Sequence, residues 1–310
     1  MTTTRKLKLG TRGSDLARTQ SSTIARSLER LGFDVELTII RTAGDRAATV
    51  PFAAIGPQGV FVREIEQSLL AGDIDLAVHS FKDLPTKSPP ELMIGAVPMR
   101  VDPADLLLAH PQALAAAGGD WPPLTNGARI GTASARRRVW LEHYRSDLQI
   151  APLRGNVPTR LRKLQAGEFD AILLAAAGVE RLRAEGALAE ELAGIEIARL
   201  DPEQFVPAPA QGALAVQCRR DDERVREALR ALDHAPSHAA ITAERAALAL
   251  AEGGCDIAFG AYCRAEGTEH VLIAMHEHAG VVSTARVRGA EPRALGEAAW
   301  AELSAAEATR

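Results

Sequence analysis

Ile74-Asp75-Leu76-Ala77-Val78-His79-Ser80-Phe81-Lys82-Asp83 is the stretch on which the fold turns. Ile74–Val78 reads as a short buried strand. Just before it, Val60–Ala71 places Phe61, Ile65 and Leu69 on one face, with the period of a helix. A helix and a strand in such close succession imply a parallel or mixed sheet covered by helices. The strand runs into His79 and Ser80, then into a cation and a carboxylate, Lys82 and Asp83. Taken alone, His79 reads as a structural histidine, and Lys82 with Asp83 as a surface pair worth little.

Outward from this stretch the same alternation continues. Lys6–Leu9 reads as the first strand. Ser14 or Asp15 can cap a helix whose apolar face is Ile24, Leu28 and Leu31, and Val35–Ile40 is the next strand. The pattern then restarts. Asp105–Ala109, Ala128–Gly131, Leu148–Leu153, Phe169–Ala175 and Ile195–Leu200 read as strands, with helices starting near Ser134, Pro158 and Gly178. Proline in a first helical turn, as at Pro158, sacrifices no hydrogen bond. After Pro236 the texture changes. Ser237–Glu252 is a periodic helix closed by Gly253-Gly254. Three strands follow, Gly260–Arg264, His270–His276 and Val281–Arg288, and then a last helix, Glu291–Ala306. Short connections between neighbouring strands suggest a small antiparallel sheet with helices on one face. Pro98–Pro103 and Pro202–Pro209 read as hinges, and no internal repeat is visible. Arg46–Gly59 holds Pro51, Gly56, Pro57 and Gly59 without a clear period, and a loop of that length is expected to be a mobile cover over a cleft, the first place limited proteolysis cuts.

A chain of 310 residues suffices for two or three domains with real cores. Aromatic residues make up 4%, too few for the stacking platforms of a nucleic-acid binder. The net charge of −4 means that any anion site is local. Cys218, Cys255 and Cys263 are few and odd in number and form no CxxC pair, which disfavours both a disulfide framework and a zinc knuckle. No signal peptide is visible, and the longest apolar run, Ala171–Ala177, is too short for a membrane span. A reducing cytoplasm is the default expectation.

Arginine gathers where strands give way to helices. Gly131-Thr132-Ala133-Ser134 leads into Arg136, Arg137 and Arg138. Arg154-Gly155-Asn156-Val157-Pro158-Thr159-Arg160 repeats the device, and Arg181 follows the turn at Gly178. Free amides and the helix dipole favour an anion there, and guanidinium forks suit carboxylates. In doubly wound sheets the carboxyl ends of strands face the ligand crevice, so three junctions can aim at one cleft. Any one of these arginines alone reads as part of a solvated face; Arg136, Arg137, Arg154 and Arg160 together read as an anion site. Thr11-Arg12-Gly13-Ser14 repeats the logic in the first lobe. Cys255, after two glycines that let the backbone approach something closely, is taken alone more often inert than reactive.

Four of these segments together resemble the signature segments of the hydroxymethylbilane synthase (porphobilinogen deaminase) family, in that family's order and approximate spacing. They are His79-Ser80-Phe81-Lys82-Asp83, Gly131-Thr132-Ala133-Ser134-Ala135-Arg136-Arg137, Arg154–Arg160 and Glu252-Gly253-Gly254-Cys255. Thr11-Arg12 with Ser14, Phe61-Val62 with Glu64, and Gln211-Gly212-Ala213 fit too. There are departures: Gln58 stands for a common lysine, Ala104 for a common arginine and Ala210 for a usual glycine, and Asp256 to Phe259 differ from the usual run.

The resemblance implies two α/β domains like those of bilobal solute-binding proteins and a small C-terminal α+β domain with a three-stranded antiparallel sheet. Their expected extents are 1–101 with 210–230, 104–206, and 234–310. It implies a transferase of porphyrin and heme biosynthesis that joins four porphobilinogen molecules head to tail on a dipyrromethane cofactor held by a thioether to Cys255. Each unit loses ammonia to become an electrophile that the terminal pyrrole's α-carbon attacks, and water releases the linear tetrapyrrole. Asp83 and Lys82 are implied as catalytic. Lys82, Asp83, Ser134, Arg136, Arg137 and Arg154 are implied at the cofactor. Arg12, Ser14, Ser80, Thr132, Arg154, Arg160, Arg181 and Gln211 are implied at the substrate. No metal, nucleic acid or membrane is implied, and a monomer is expected. Two other readings remain: a non-enzymatic bilobal anion-binding module, which has no use for Cys255, and a thiol enzyme with Cys255 as nucleophile and His79 as base, which needs the two within hydrogen-bond reach.

Overall fold

A computed structural model describes residues 6–40, 62–115, 121–251 and 257–308. Cys255, Gln58, Asp256, Phe61 and the expected cover Arg46–Gly59 lie outside the described residues. The chain divides into two units, residues 1–101 with 213–239, and residues 102–212 with 240–310.

The first unit is built on a five-stranded mixed sheet. Its strands are β1 (Leu7–Thr11), β2 (Val35–Ile39), β3 (Leu76–Ser80), β4 (Leu92–Ala96) and β10 (Leu214–Arg219), in the order β2-β1-β3-β10-β4. β1 runs parallel to β2 and β3, and β10 runs antiparallel to β3 and β4. Helix α1 (Asp15–Arg30) starts as expected: the Ser14 hydroxyl accepts from the Ala17 N–H. Its Ile24 and Leu28 pack with Leu7, Leu9, Leu76 and Val78. Leu31 departs from the expectation. It lies past the helix's last turn and is 48% exposed. Helix α2 (Arg63–Ala71) covers the opposite face, where Ile65 and Leu69 pack with Ile74, Ala77 and Leu92. The strand expected at Ile74–Val78 begins two residues later, and Ile74 is buried ahead of it. α6 (Glu223–Arg230) completes the unit on the α1 side.

The second unit repeats that sheet without repeating its sequence. β5 (Asp105–Ala109), β6 (Arg129–Gly131), β7 (Gln149–Ala151), β8 (Ala171–Ala175) and β9 (Glu196–Arg199) lie in the order β7-β6-β8-β5-β9. Again one strand is flanked by two parallel neighbours, and the fourth strand runs antiparallel to those beside it. α3 (Ala135–Tyr144), α4 (Val157–Gln165) and α5 (Ala176–Ala184) follow β6, β7 and β8.

The C-terminal segment carries α7 (Ala235–Leu250), which belongs to this unit from Ala240 on, then β11 (Phe259–Glu266), β12 (Glu269–His278), β13 (Val281–Gly289) and α8 (Pro292–Ala308). Its three strands form the expected antiparallel sheet. Both faces of β12 are used. Leu272 and Ala274 pack under α7 and α8 with Ala243, Ala247, Ala299 and Leu303. Val271, Ile273 and Met275 enter the core built on Leu107, Trp140, Leu173 and Phe205. The small sheet is therefore a middle layer, apolar on both sides. Among the described residues no helix is long and apolar enough to cross a membrane.

Segment 207–212 links the layers. The Glu244 carboxylate of α7 accepts the Ala210 N–H at 2.7 Å and the Cys263 N–H at 2.8 Å. Ala210 is buried at φ 63, a left-handed conformation that glycine enters without steric strain. Left-handed backbone disfavours a side chain by about 1–2 kcal/mol, while glycine loses about 0.5–1 kcal/mol more chain entropy on folding. Ala210→Gly is therefore expected to be neutral or to stabilise by up to about 1 kcal/mol, and Ala210→Val to destabilise. Urea unfolding midpoints check this; a clear fall with glycine contradicts the assigned strain.

Candidate functional site

In the second unit the site grows from one buried carboxylate. Asp105 opens β5 and is fully buried. Its Oδ2 accepts from Arg136 Nη2 at 2.8 Å. Its Oδ1 accepts from Arg137 Nη2 at 2.7 Å, Arg137 Nε at 3.2 Å and Gln211 Nε2 at 2.9 Å. Burial alone would raise the Asp105 pKa. The guanidiniums of Arg136 and then Arg137 outweigh it and hold the carboxyl well below the usual carboxylate range.

The two arginines sit in the first turn of α3 for a local reason. Ser134 caps that helix by accepting from the Arg137 N–H, and its own N–H donates to the buried Thr132 hydroxyl. The cap fixes where the turn begins, and so where Arg136 and Arg137 point. Arg136 Nη1 donates to the Val206 carbonyl at 2.8 Å, and its Cζ lies 5.7 Å from the Phe205 ring centre. Arg137 Nη1 donates to the Leu173 carbonyl at 2.9 Å. Among the described residues Arg136 Nε is buried without a hydrogen-bond partner. Burial pulls the Arg136 pKa below its ordinary value against the opposing pull of Asp105.

Two further arginines adjoin this pair. Arg160 is half-buried in α4, and its Nε donates to the Gly155 carbonyl at 2.7 Å. Burial first, and then the charge of Arg137, lower its pKa, which places the two guanidiniums within electrostatic reach. Arg181 of α5 donates from Nη2 to the Gly212 carbonyl at 2.9 Å, and burial lowers its pKa to about 10. Asn156 caps α4 by accepting from the Thr159 N–H at 3.0 Å, and Arg154, just before it, is exposed. Gln211, expected at the substrate, is buried. Its Nε2 turns inward to Asp105 and to the Pro103 and Ala104 carbonyls at 2.8 and 3.2 Å. Ala104, in place of a common arginine, thus serves through its backbone.

In the first unit, β3 delivers His79 and Ser80, and a 3-10 turn (Phe81–Asp83) delivers Lys82 and Asp83. Asp83 is exposed and Lys82 half-buried. The turn is anchored through its first residue, the Phe81 N–H donating to the Ala213 carbonyl at 3.1 Å. Ser80 is hydrogen-bonded to Gln20. Arg12, half-buried after β1, is close enough to His79 for its charge to be felt there. Sequence reasoning missed Asp105, Gln20, Gln217 and Glu66. Asp105 alone left a signal, an acid heading the apolar run Leu106–Ala109.

Against known proteins, residues 7–227 match the family described as "Porphobilinogen deaminase, dipyromethane cofactor binding domain". The chain is similar to a porphobilinogen deaminase of Syntrophobacter fumaroxidans, 44% identical over 262 residues, covering 84% of this chain and 80% of that one. It is similar to that of Brevibacillus brevis at 45% over 275 residues, covering 87% and 84%. It is similar to that of Roseiflexus castenholzii at 42% over 305 residues, covering 96% and 95%.

His79 gives this site a pH signature. Burial, above all, lowers its pKa from 6.5 to about 4; the hydrogen bond to Gln217 opposes this and the Arg12 charge adds to it. The folded state then binds this proton more weakly than the unfolded chain does. Its contribution to stability is fully present above about pH 6.5, falls as pH drops, and is gone near pH 4, a loss on the order of 3 kcal/mol. NMR of the ring protons should show His79 untitrated through pH 6. A midpoint near 6.5 contradicts the assignment.

Proposed function

The chain belongs to the porphobilinogen deaminase family, and on that premise we propose how its own side chains carry the reaction. The activity is that of hydroxymethylbilane synthase, a transferase that deaminates porphobilinogen and joins four units head to tail into a linear tetrapyrrole. A binding module without catalysis is not favoured, because the relatives carry an enzyme's name. Dipyrromethane is the cofactor of the matched domain. When bound, it supplies the nucleophilic α-carbon of its terminal pyrrole.

The observation that carries the reading is the charge around Asp105. Arg136 and Arg137 share the Asp105 carboxylate, Arg181 donates to the Gly212 carbonyl of the segment that also brings Gln211 to Asp105, and Arg160 is within electrostatic reach of Arg137; among the described residues Arg136 Nε is a buried donor with no partner. That donor set fits a ligand rich in carboxylates, as a chain of pyrroles with acetate and propionate arms is. Arg160 and Arg181 meet ligand carboxylates, with Ser134, Thr132 and Arg154 assisting. Arg136 and Arg137 hold the cofactor side with charge that Asp105 only partly neutralises. Each charge-assisted bond contributes roughly 1.5–3 kcal/mol, though such terms do not add.

The anchor is Cys255. Support comes from the other two thiols: Cys218 and Cys263 are buried in cores, and burial pushes the Cys218 thiol up to about 11. Residues 234–310 then form a third domain that carries the tether, beside the arginine domain 104–206 and the Asp83 domain, 1–101 with 210–230. The substrate groups in the first unit are Arg12, Ser14 and Ser80, and Gln211 acts through Asp105. Lys82 assists at the cofactor. Asp83 faces the pyrrole N–H groups and stabilises the positive charge that deamination and carbon–carbon bond formation place on the ring. Three cysteines without a CxxC pair suit a reducing compartment, and a cytoplasmic monomer is the setting proposed.

Asp83→Asn keeps the shape and loses the charge. In single-turnover kinetics on folded, cofactor-loaded protein it should lose roughly a thousandfold in rate, and Asp83→Glu should retain more. Reaction of the asparagine variant within a few-fold of wild type removes Asp83 from this role. Arg160→Leu and Arg181→Leu should stall elongation at discrete intermediates, seen as a ladder of masses. Variants that elongate like wild type contradict the assignment of these arginines.

A further inference from the structure

The two residues before the Lys82–Asp83 turn are held from both faces of the sheet. His79 and Ser80 are consecutive in β3, so their side chains leave on opposite faces. On the α1 face, where Leu76 and Val78 pack, Gln20 Nε2 donates to Ser80 Oγ at 2.9 Å. On the α2 face, where Ala77 packs, His79 Nε2 lies 3.1 Å from Gln217 Oε1, and Gln217 Nε2 donates to Glu66 Oε1 at 2.9 Å. Gln217 is paired with Ala77 across the ladder, so His79 is its diagonal neighbour on the same face.

The chemistry of this row fixes its direction. A carboxylate only accepts, so Glu66 turns the Gln217 amide nitrogen toward itself and the amide oxygen toward His79. His79 must then present a protonated Nε2. Gln217 is fully buried and His79 is 8% exposed, so neither exchanges these partners readily for water. Among the described residues, the hydrogen bonds of the row run within it and not to Asp83. Asp83 is exposed on a one-turn element that continues directly from the end of β3 and is tied through the Phe81 N–H to Ala213, the residue before β10.

We propose that Glu66, Gln217 and His79 are positioning residues for Asp83, a hydrogen-bonded row that fixes the last residues of β3 and with them the Lys82–Asp83 turn. The proposal rests on the role given to Asp83. A displacement of that carboxylate by about an ångström lowers the chemical rate without weakening substrate binding in proportion.

The test uses cofactor-loaded enzyme. Gln217→Leu should lower kcat about tenfold or more with KM within about twofold, and should add little further loss in an Asp83→Asn background, because both changes act through one group. Gln217→Glu sets two carboxylates against each other and should also lower kcat. Glu66→Gln combined with Gln217→Glu restores the row with its first bond reversed, and should recover kcat to within a few-fold of wild type. These last variants keep side-chain size, so they report even where Gln217→Leu does not fold. An unchanged kcat in Gln217→Leu, equal losses with and without Asp83, or no recovery in the double variant each overturns the proposal. If Asp83→Asn itself is fully active, the role of Asp83 fails first, and that single variant shows which of the two is wrong.

Discussion

A buried carboxylate shared by two guanidiniums and a carboxamide organises the second unit. Asp105 gathers a strand start, the first turn of α3 and segment 207–212 onto two oxygens. In a low-dielectric interior such a group is tolerated only when its lone pairs are met. Truncating one partner of a buried ionic cluster leaves uncompensated charge and costs about 3–5 kcal/mol. Close packing surrounds this cluster. Gly131 is a glycine because a Cβ there would lie 2.9 Å from Phe169 and 3.1 Å from both Ile172 and Leu153. Trp140 donates to the same Val206 carbonyl that Arg136 uses.

The constraint also explains how a chain of net charge −4 presents a cationic site. Positive charge is fixed in place by burial and by backbone carbonyls rather than spread over the surface. The donors of Arg136 and Arg137 are directed by protein groups before any ligand arrives, which lowers the ordering cost of binding. The first unit uses the opposite economy. Its assigned carboxylate is exposed on a short turn, and the buried polar side chains lie behind it.

Much of this was legible in sequence. Asp105–Ala109 matches a strand residue for residue, Ser134 caps its helix, and the three C-terminal strands lie where short apolar runs with tight connections put them. What escaped was held by distant partners. β4 contains Gly95, which a local reading discounts; there a Cβ would fall 2.6 Å from Leu229 Cδ1 of α6, so tertiary packing demands the glycine. β10 carries Gln217, whose burial makes sense only beside Glu66 and His79. The arginines were visible as a cluster at strand ends, but no spacing rule shows that Asp105, some thirty residues upstream, sits between two of them. Gln211 lies in a segment that the sequence singled out, but its bond to Asp105 joins residues about a hundred positions apart and no local pattern reveals it.

In the proposed function these fixed cations serve a carboxylate-rich group tethered to Cys255. Intact-mass measurement of purified wild type and of Cys255→Ala tests it most directly. Active wild type should be heavier than its bare chain by a two-pyrrole adduct, and Cys255→Ala should sit at the bare mass without activity. An active wild type at the bare mass, or an adduct that survives in Cys255→Ala, would contradict it.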